Sequence, residues 1–281
     1  MRFAKIYLEI TNVCNLSCSF CPGTVRPSKF LSTDEFSFLL PKLRPYAEYL
    51  YFHLMGEPLL HPELSCFLKI AGDYGFRVIL TSNGTLLKKR KAELLEAASL
   101  HKINLSLHSF EANERGADFD EYLSACLELG RIPAPERNFI VAYRLWNGGG
   151  ADRLNGRIES AMHEAFPGDW DAVRGGFRLA DRVFLQYGEK FDWPGYSPEE
   201  RNENTFCYAL RDQIGVLSDG TVVPCCLDRN GDLALGNLFS QSMEEILNSE
   251  RARSIYEGFS RRTAAEELCR QCGFVKRFQK G

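Results

Sequence analysis

A chain of 281 residues, 44% of them apolar, has enough material for one large α/β unit with a smaller appendage. Its 34 basic and 37 acidic side chains leave a formal charge of −3, which gives no electrostatic reason to expect nucleic acid or an anionic membrane surface as a partner. No apolar stretch approaches the length of a membrane span, and residues 1–10 are too short and too charged for a signal peptide, so a cytoplasmic protein is expected.

Ten cysteines in a reducing compartment argue for metal rather than a disulfide framework. Eight of them fall in three groups: Cys14, Cys18 and Cys21; Cys207 with Cys225 and Cys226; and Cys269 with Cys272. Cys66 and Cys126 stand alone within helical patterns and read as buried structural thiols.

Lys5 to Ile10 alternates as a first strand and runs into Thr11 to Pro22, where Cys14, Cys18 and Cys21 are spaced C-x3-C-x2-C. Thiolates this close suit a thiophilic metal, either an iron–sulfur cluster or a structural zinc; three buried thiols without metal are the bland reading. Three protein ligands leave a metal centre one position short, and an open position is where chemistry usually happens. Ser32 to Glu35 forms a capping box that opens a helix through about Leu43. Tyr49 to Leu54 is the second strand. It ends in Met55-Gly56-Glu57-Pro58, ahead of a helix from about Pro62 to Gly72. Phe76 to Thr81 is the third strand, followed by the polar turn Ser82-Asn83-Gly84-Thr85 and a helix over Lys88 to Ala98 whose basic first turn is solvated. Ile103 to Leu107 is the fourth strand; strict alternation puts Asn104, Ser106 and His108 on one face.

A helix over Phe119 to Leu129 leads to a fifth strand, Asn138 to Leu145, which delivers Arg144 at its end; a guanidinium there can clamp a carboxylate through two parallel hydrogen bonds. An amphipathic helix over Leu154 to Phe166 and a sixth strand, Arg182 to Gln186, complete the series. Six strands alternating with helices imply parallel βα units with right-handed crossovers, whose ligand site lies at the carboxyl ends of the strands. Tyr187 to Asn204 has no periodicity and reads as a linker or a substrate-covering loop. Beyond it, Gln213 to Leu217 and Thr221 to Val223 flank Asp219-Gly220, a hairpin signal that folds Cys207 and Cys225 toward each other; a helix over Ser242 to Tyr256 precedes Cys269-Arg-Gln-Cys272.

At the C-x3-C-x2-C loop the chain resembles the radical S-adenosylmethionine (SAM) superfamily. The resemblance implies a partial (β/α)6 barrel holding a [4Fe-4S] cluster on Cys14, Cys18 and Cys21, whose open iron is chelated by SAM. It further implies SAM contacts from Phe20, from the Gly56, Glu57 and Pro58 motif (with methionine where a first glycine is usual), from Ser82 and Asn83, and from Ser106 and His108; the carboxylate that Arg144 would clamp is the methionyl carboxylate of SAM or one on the substrate. An aspartate is more usual in the place of His108. Cys207, Cys225, Cys269 and Cys272 are similar to the SPASM/twitch extension in its shorter form, a small hairpin-plus-helix domain with one auxiliary [4Fe-4S] cluster; a zinc on four thiolates is the competing reading of the spacing. The expected division is a core over 1–190, a linker over 191–206 and the auxiliary domain over 207–281.

The resemblance implies reductive cleavage of SAM to a 5′-deoxyadenosyl radical that abstracts hydrogen, with a flavodoxin- or ferredoxin-type electron donor. Two activities fit. One is a two-electron oxidation of a small molecule with the auxiliary cluster as electron acceptor, as in the aminocyclitol dehydrogenases of the family, with Arg144, His108 or Glu189 as the base. The other is crosslinking or epimerisation of a ribosomal peptide, in which Cys226 donates a hydrogen atom; the cluster loop begins at residue 14, so a leader-recognition domain would come from a separate partner. Cys226 is otherwise a spacer or an alternative ligand. A non-catalytic metal-binding module is the reading from a different class.

Overall fold

The computed structural model describes residues 2–113, 118–195 and 201–278; residues 196–200 of the expected linker lie outside them. Six strands form the parallel body of the molecule: β1 (Lys5–Leu8), β2 (Tyr49–Tyr51), β3 (Arg77–Ser82), β4 (Leu100–Ser106), β5 (Ile140–Gly148) and, after a hairpin made of β6 (Asp171–Val173) and β7 (Gly176–Ala180), β8 (Val183–Glu189). The C-terminal part adds β9 (Gln213–Val216), β10 (Thr221–Val223) and β11 (Gly236–Asn237). All eleven belong to one sheet in the order β11-β10-β9-β1-β2-β3-β4-β5-β8-β7-β6. The parallel run from β1 to β8, with its helices on one face, is the partial (β/α)6 barrel that the alternation implies.

Strand periodicity builds two layers. Ile6, Leu8, Leu50, Val78, Leu80, Ile103, Leu105, Val141 and Tyr143 are buried in the main core with the helical residues Phe36, Leu39, Phe67, Leu94 and Leu127. The alternate positions Tyr7, Tyr51, Thr81, Ser106 and Arg144 face the barrel interior instead and line a cavity. The first helix, Thr33–Leu43, starts where its capping box predicts: the Glu35 amide donates to Ser32 Oγ at 3.2 Å and the Ser32 amide to Glu35 Oε2 at 2.8 Å.

Three features differ from the expectations. The hairpin β6–β7 precedes β8 and extends the sheet antiparallel; all three residues of β6 are exposed, so no alternation marks it in the sequence. The fourth strand ends at Ser106, and a 3-10 turn over Leu107–Ser109 carries His108, so strict alternation does not place that ring. Cys66 is exposed rather than buried, whereas Cys126 is fully buried as expected.

The C-terminal hairpin continues the barrel sheet. β9 pairs parallel with β1 over Lys5↔Gln213 to Leu8↔Val216, and β10 returns antiparallel to β9 with Val223 opposite Gly215. This register sets Cys225 near the start of β1, whereas the loop bearing Cys14 follows its end.

Candidate active site

The cysteine loop is braced from two strand ends. Gly56, with φ +78°, packs so tightly on the start of the loop that a Cβ there would lie 2.3 Å from the Thr11 carbonyl oxygen. The Glu57 amide donates to the Val13 carbonyl at 2.8 Å. The Glu57 carboxylate is buried; it accepts from the Leu59 amide at 3.0 Å, capping the turn Pro58–Leu60, and from the Asn83 amide at 2.7 Å. Burial pushes this carboxyl up to about 7. Asn83 in turn donates to Asn15 Oδ1 at 2.9 Å, and Ser82 Oγ accepts from the Gly84 amide. Gly56, Glu57, Pro58, Ser82 and Asn83 thus hold the cysteine loop from below.

The sulfurs of that loop receive N–H donors. Asn113 Nδ2 lies 3.1 Å from Cys18 Sγ, and its Oδ1 accepts from the Ser17 amide at 2.8 Å. The Leu16 amide donates to Cys14 Sγ at 3.5 Å. Burial raises all three thiols, Cys18 to about 11, so as bare thiols they stay protonated and metal must displace the protons. Donors aimed at sulfur suit an iron–sulfur centre, whose sulfurs carry negative charge.

One cavity of about 620 Å³ runs from this loop through the barrel interior to the C-terminal cysteines. Phe20, Ser106, His108 and Arg144 line it on the side of the first loop, with Phe20 and His108 tilted at 37° and their centroids 5.0 Å apart. Burial lowers the His108 pKa, so the ring is neutral; its Nδ1 stands 3.0 Å from the Arg144 carbonyl oxygen. Burial also brings Arg144 down to about 10, and its guanidinium lies 4.4 Å from the Trp146 ring centre. Glu189 is exposed at the end of β8 beside Gly148 and is not among the cavity-lining residues.

Cys207, Cys225, Cys269 and Cys272 border the same cavity on another wall, with Cys226 beside them. Burial pushes Cys207 up to about 11 and Cys272 to about 12, and the neighbouring thiols add to the rise at Cys225 and Cys269. Among the described residues no three His, Cys, Asp or Glu side chains converge as a single ion requires; bonds of about 2.3 Å to one zinc would hold sulfurs about 3.8 Å apart. Cys226 packs against the cluster of Tyr7, Leu54 and Val223 at the cavity wall.

Sequence reasoning missed two parts of this site. Lys5, Tyr7, Tyr51 and His53 line the cavity from β1 and from the segment through β2, and the signal for them was the inward phase of strands whose outward phase was read as core. Glu9 carries no motif. It is buried at the end of β1 and accepts from Arg26 Nη2 at 2.7 Å, from the Ser218 hydroxyl at 3.0 Å and amide at 3.2 Å, and from the Met55 amide at 3.3 Å. Arg26 Nε also donates to the Arg229 carbonyl at 2.8 Å. The cysteine loop is thereby tied to the C-terminal region.

Comparison with known proteins agrees with this geometry. Residues 8–143 match the family model of the radical SAM superfamily, and residues 207–273 match that of SPASM, an iron-sulfur cluster-binding domain. An S-adenosyl-L-methionine-dependent 2-deoxy-scyllo-inosamine dehydrogenase from Niallia circulans is 22% identical over 97% of this chain and 94% of its own. The sporulation killing factor maturation protein SkfB of Bacillus subtilis is 25% identical over 85% of this chain and 63% of its own. An AdoMet-dependent heme synthase from Methanosarcina barkeri matches locally, 32% identical over 107 residues, and the chain spans 31% of that protein. In fold, the chain is similar to the crystal structure of BtrN in complex with AdoMet and 2-DOIA, with a TM-score of 0.66 at 19% identity over 97% of this chain and 93% of that one.

Proposed function

The chain belongs to the radical SAM superfamily, with a SAM-binding [4Fe-4S] cluster and a C-terminal SPASM domain for an auxiliary iron–sulfur cluster, and from that premise we propose that it oxidises its substrate by two electrons. Cys14, Cys18 and Cys21 hold the first cluster; Cys207, Cys225, Cys269 and Cys272 hold the auxiliary one as a closed [4Fe-4S] centre. When bound, the first cluster and SAM supply a 5′-deoxyadenosyl radical that takes a hydrogen atom from substrate, and the auxiliary cluster supplies an electron acceptor.

The chain's own residues do the rest. Phe20 and the neutral His108 ring form an apolar wall at the first loop, suited to the adenine of SAM. Ser106 stands beside them for the ribose. Gly56, Glu57, Pro58, Ser82 and Asn83 keep the loop and its open position in register with these walls. Arg144, half-buried and without a carboxylate partner among the described residues, reaches the cavity as a cation that orients substrate, and the neutral His108, whose Nδ1–H faces the Arg144 carbonyl, takes up the proton on its other ring nitrogen. The observation that carries this reading is the single cavity bordered at once by Phe20 and by the four C-terminal cysteines, because an electron can leave a substrate held there without leaving the protein.

The test is anaerobic reconstitution followed by reduction with dithionite in the presence of SAM. Formation of 5′-deoxyadenosine and methionine supports the family chemistry. With a Cys269→Ala, Cys272→Ala variant, cleavage of SAM that persists while substrate oxidation stops supports the acceptor role of the auxiliary cluster; oxidation that continues overturns it.

The likeness to SkfB over 85% of this chain favours a second reading, maturation of a ribosomal peptide by crosslinking or epimerisation. There Cys226, packed against Tyr7 at the cavity wall, is the hydrogen donor. Solvent deuterium incorporated at an α-carbon of a peptide, and lost in Cys226→Ala, decides for epimerisation.

A further inference from the structure

The barrel interior carries cations that no carboxylate among the described residues neutralises. Lys5 and Arg144 both line the cavity, and neither takes part in an ion pair among the described residues. The Lys5 ammonium stands 5.7 and 5.6 Å from the ring centres of Tyr7 and Tyr51. Among the described residues Arg144 makes one side-chain hydrogen bond, at 3.4 Å to Gln186 Oε1. His53 packs against both tyrosines, with centroids 5.1 and 5.8 Å away. Its pKa, brought down to about 3 by burial and by the charges of Arg144 and Lys5, keeps it neutral.

Polar atoms are left over in the same place. Among the described residues His53 Nδ1 and Trp146 Nε1 are buried without a hydrogen-bond partner, and the indole N–H can only donate. Of the two carboxylates at the cavity wall, Asp212 is exposed at its rim. Asp228 is occupied by the Asp232 and Leu233 amides at 2.9 and 2.8 Å. Both cations are half-buried, and a partly desolvated cation without a carboxylate partner leaves free energy that a ligand bringing negative charge recovers.

We propose that the substrate presents an anionic group, a carboxylate or a phosphate, to Lys5 and Arg144 inside the barrel, with Trp146 Nε1 donating a further hydrogen bond to it. The inference rests on the reading of this cavity as the substrate site, and it narrows the substrate class. A compound whose only charge is an ammonium meets like charge on two sides there.

The experiment is calorimetric titration of the anaerobically reconstituted enzyme, without SAM and again with SAM saturating, left unreduced so that it reads binding and not turnover. The probes are cyclohexanecarboxylate, inorganic phosphate and cyclohexylammonium, each against wild type, Arg144→Gln and Lys5→Gln. The expected result is that at least one anion binds about tenfold or more tightly than the ammonium, and that each variant weakens that anion by about tenfold. Which anion binds separates a carboxylate-bearing from a phosphate-bearing substrate. Lys5→Gln keeps the test decisive should Arg144→Gln fail to fold. Anion binding that saturating SAM abolishes assigns Arg144 to the cofactor and overturns the proposal, as does equal binding of the ammonium or no loss in Lys5→Gln. The proposed chemistry stands or falls separately, on cleavage of SAM.

Discussion

Glu9 and Arg26 form a buried ion pair, with Arg26 Nη2 2.7 Å from Glu9 Oε2 and side-chain exposures of 10% and 0%. Through it the end of β1, the return of the cysteine loop, the Met55 amide and the Ser218 turn converge on one carboxylate. Glu9→Ala leaves Arg26 buried and unpaired, which costs about 3–5 kcal/mol. The expected outcome is a large drop in unfolding midpoint together with lower iron retention, checked by denaturant titration and iron analysis. Glu9→Gln, which keeps the hydrogen-bonding shape, falls in between.

Gly56→Ala acts on the cysteine loop alone. Its Cβ meets the backbone at Thr11, Asn12 and Val13, and the residue holds a φ of +78° that alanine rarely adopts. Backbone cannot give way as the tip of a side chain can, so the segment carrying Cys14 moves. Iron content is expected to fall by about half, from about eight to about four per chain, because the auxiliary cysteines lie on another wall of the cavity.

Glu57 makes stability depend on pH in a defined window. Its carboxyl is raised from 4.5 to about 7 by burial, so the folded state holds the proton more tightly than the unfolded state. That contribution is fully present below about pH 4.5 and is lost as the pH rises through about 7; its ceiling is about 3 kcal/mol. Comparing wild type with Glu57→Gln by urea unfolding, the stability difference should shift toward the variant across this window and stay flat above it.

Asn113 donates to Cys18 Sγ at 3.1 Å. A hydrogen bond to a cluster sulfur stabilises the more negative, reduced state. Asn113→Ala is therefore expected to make the potential of the first cluster more negative, read by a redox titration followed by electron paramagnetic resonance. Potentials of the auxiliary cluster should not move.

The parts legible in the chain are those with short-range signatures. Cys14, Cys18 and Cys21 sit within one turn, the Ser32 capping box spans four residues, and the outward phase of β1 to β5 announces itself as runs of valine, leucine and isoleucine. Pattern at this range is set by local geometry, so the alternation of strands and helices and the cysteine grouping survive translation into three dimensions. By contrast, the pairing of β9 with β1 joins residues about two hundred positions apart, and with it come the Ser218 contact to Glu9, the Arg229 contact to Arg26 and the common cavity of both cysteine systems. No local pattern encodes that register: it is chosen by which edge of the barrel is free to be covered. The inward-facing Lys5 and His53 were likewise decided by tertiary structure, because only closure of the walls sets them beside Arg144 in one positively charged chamber.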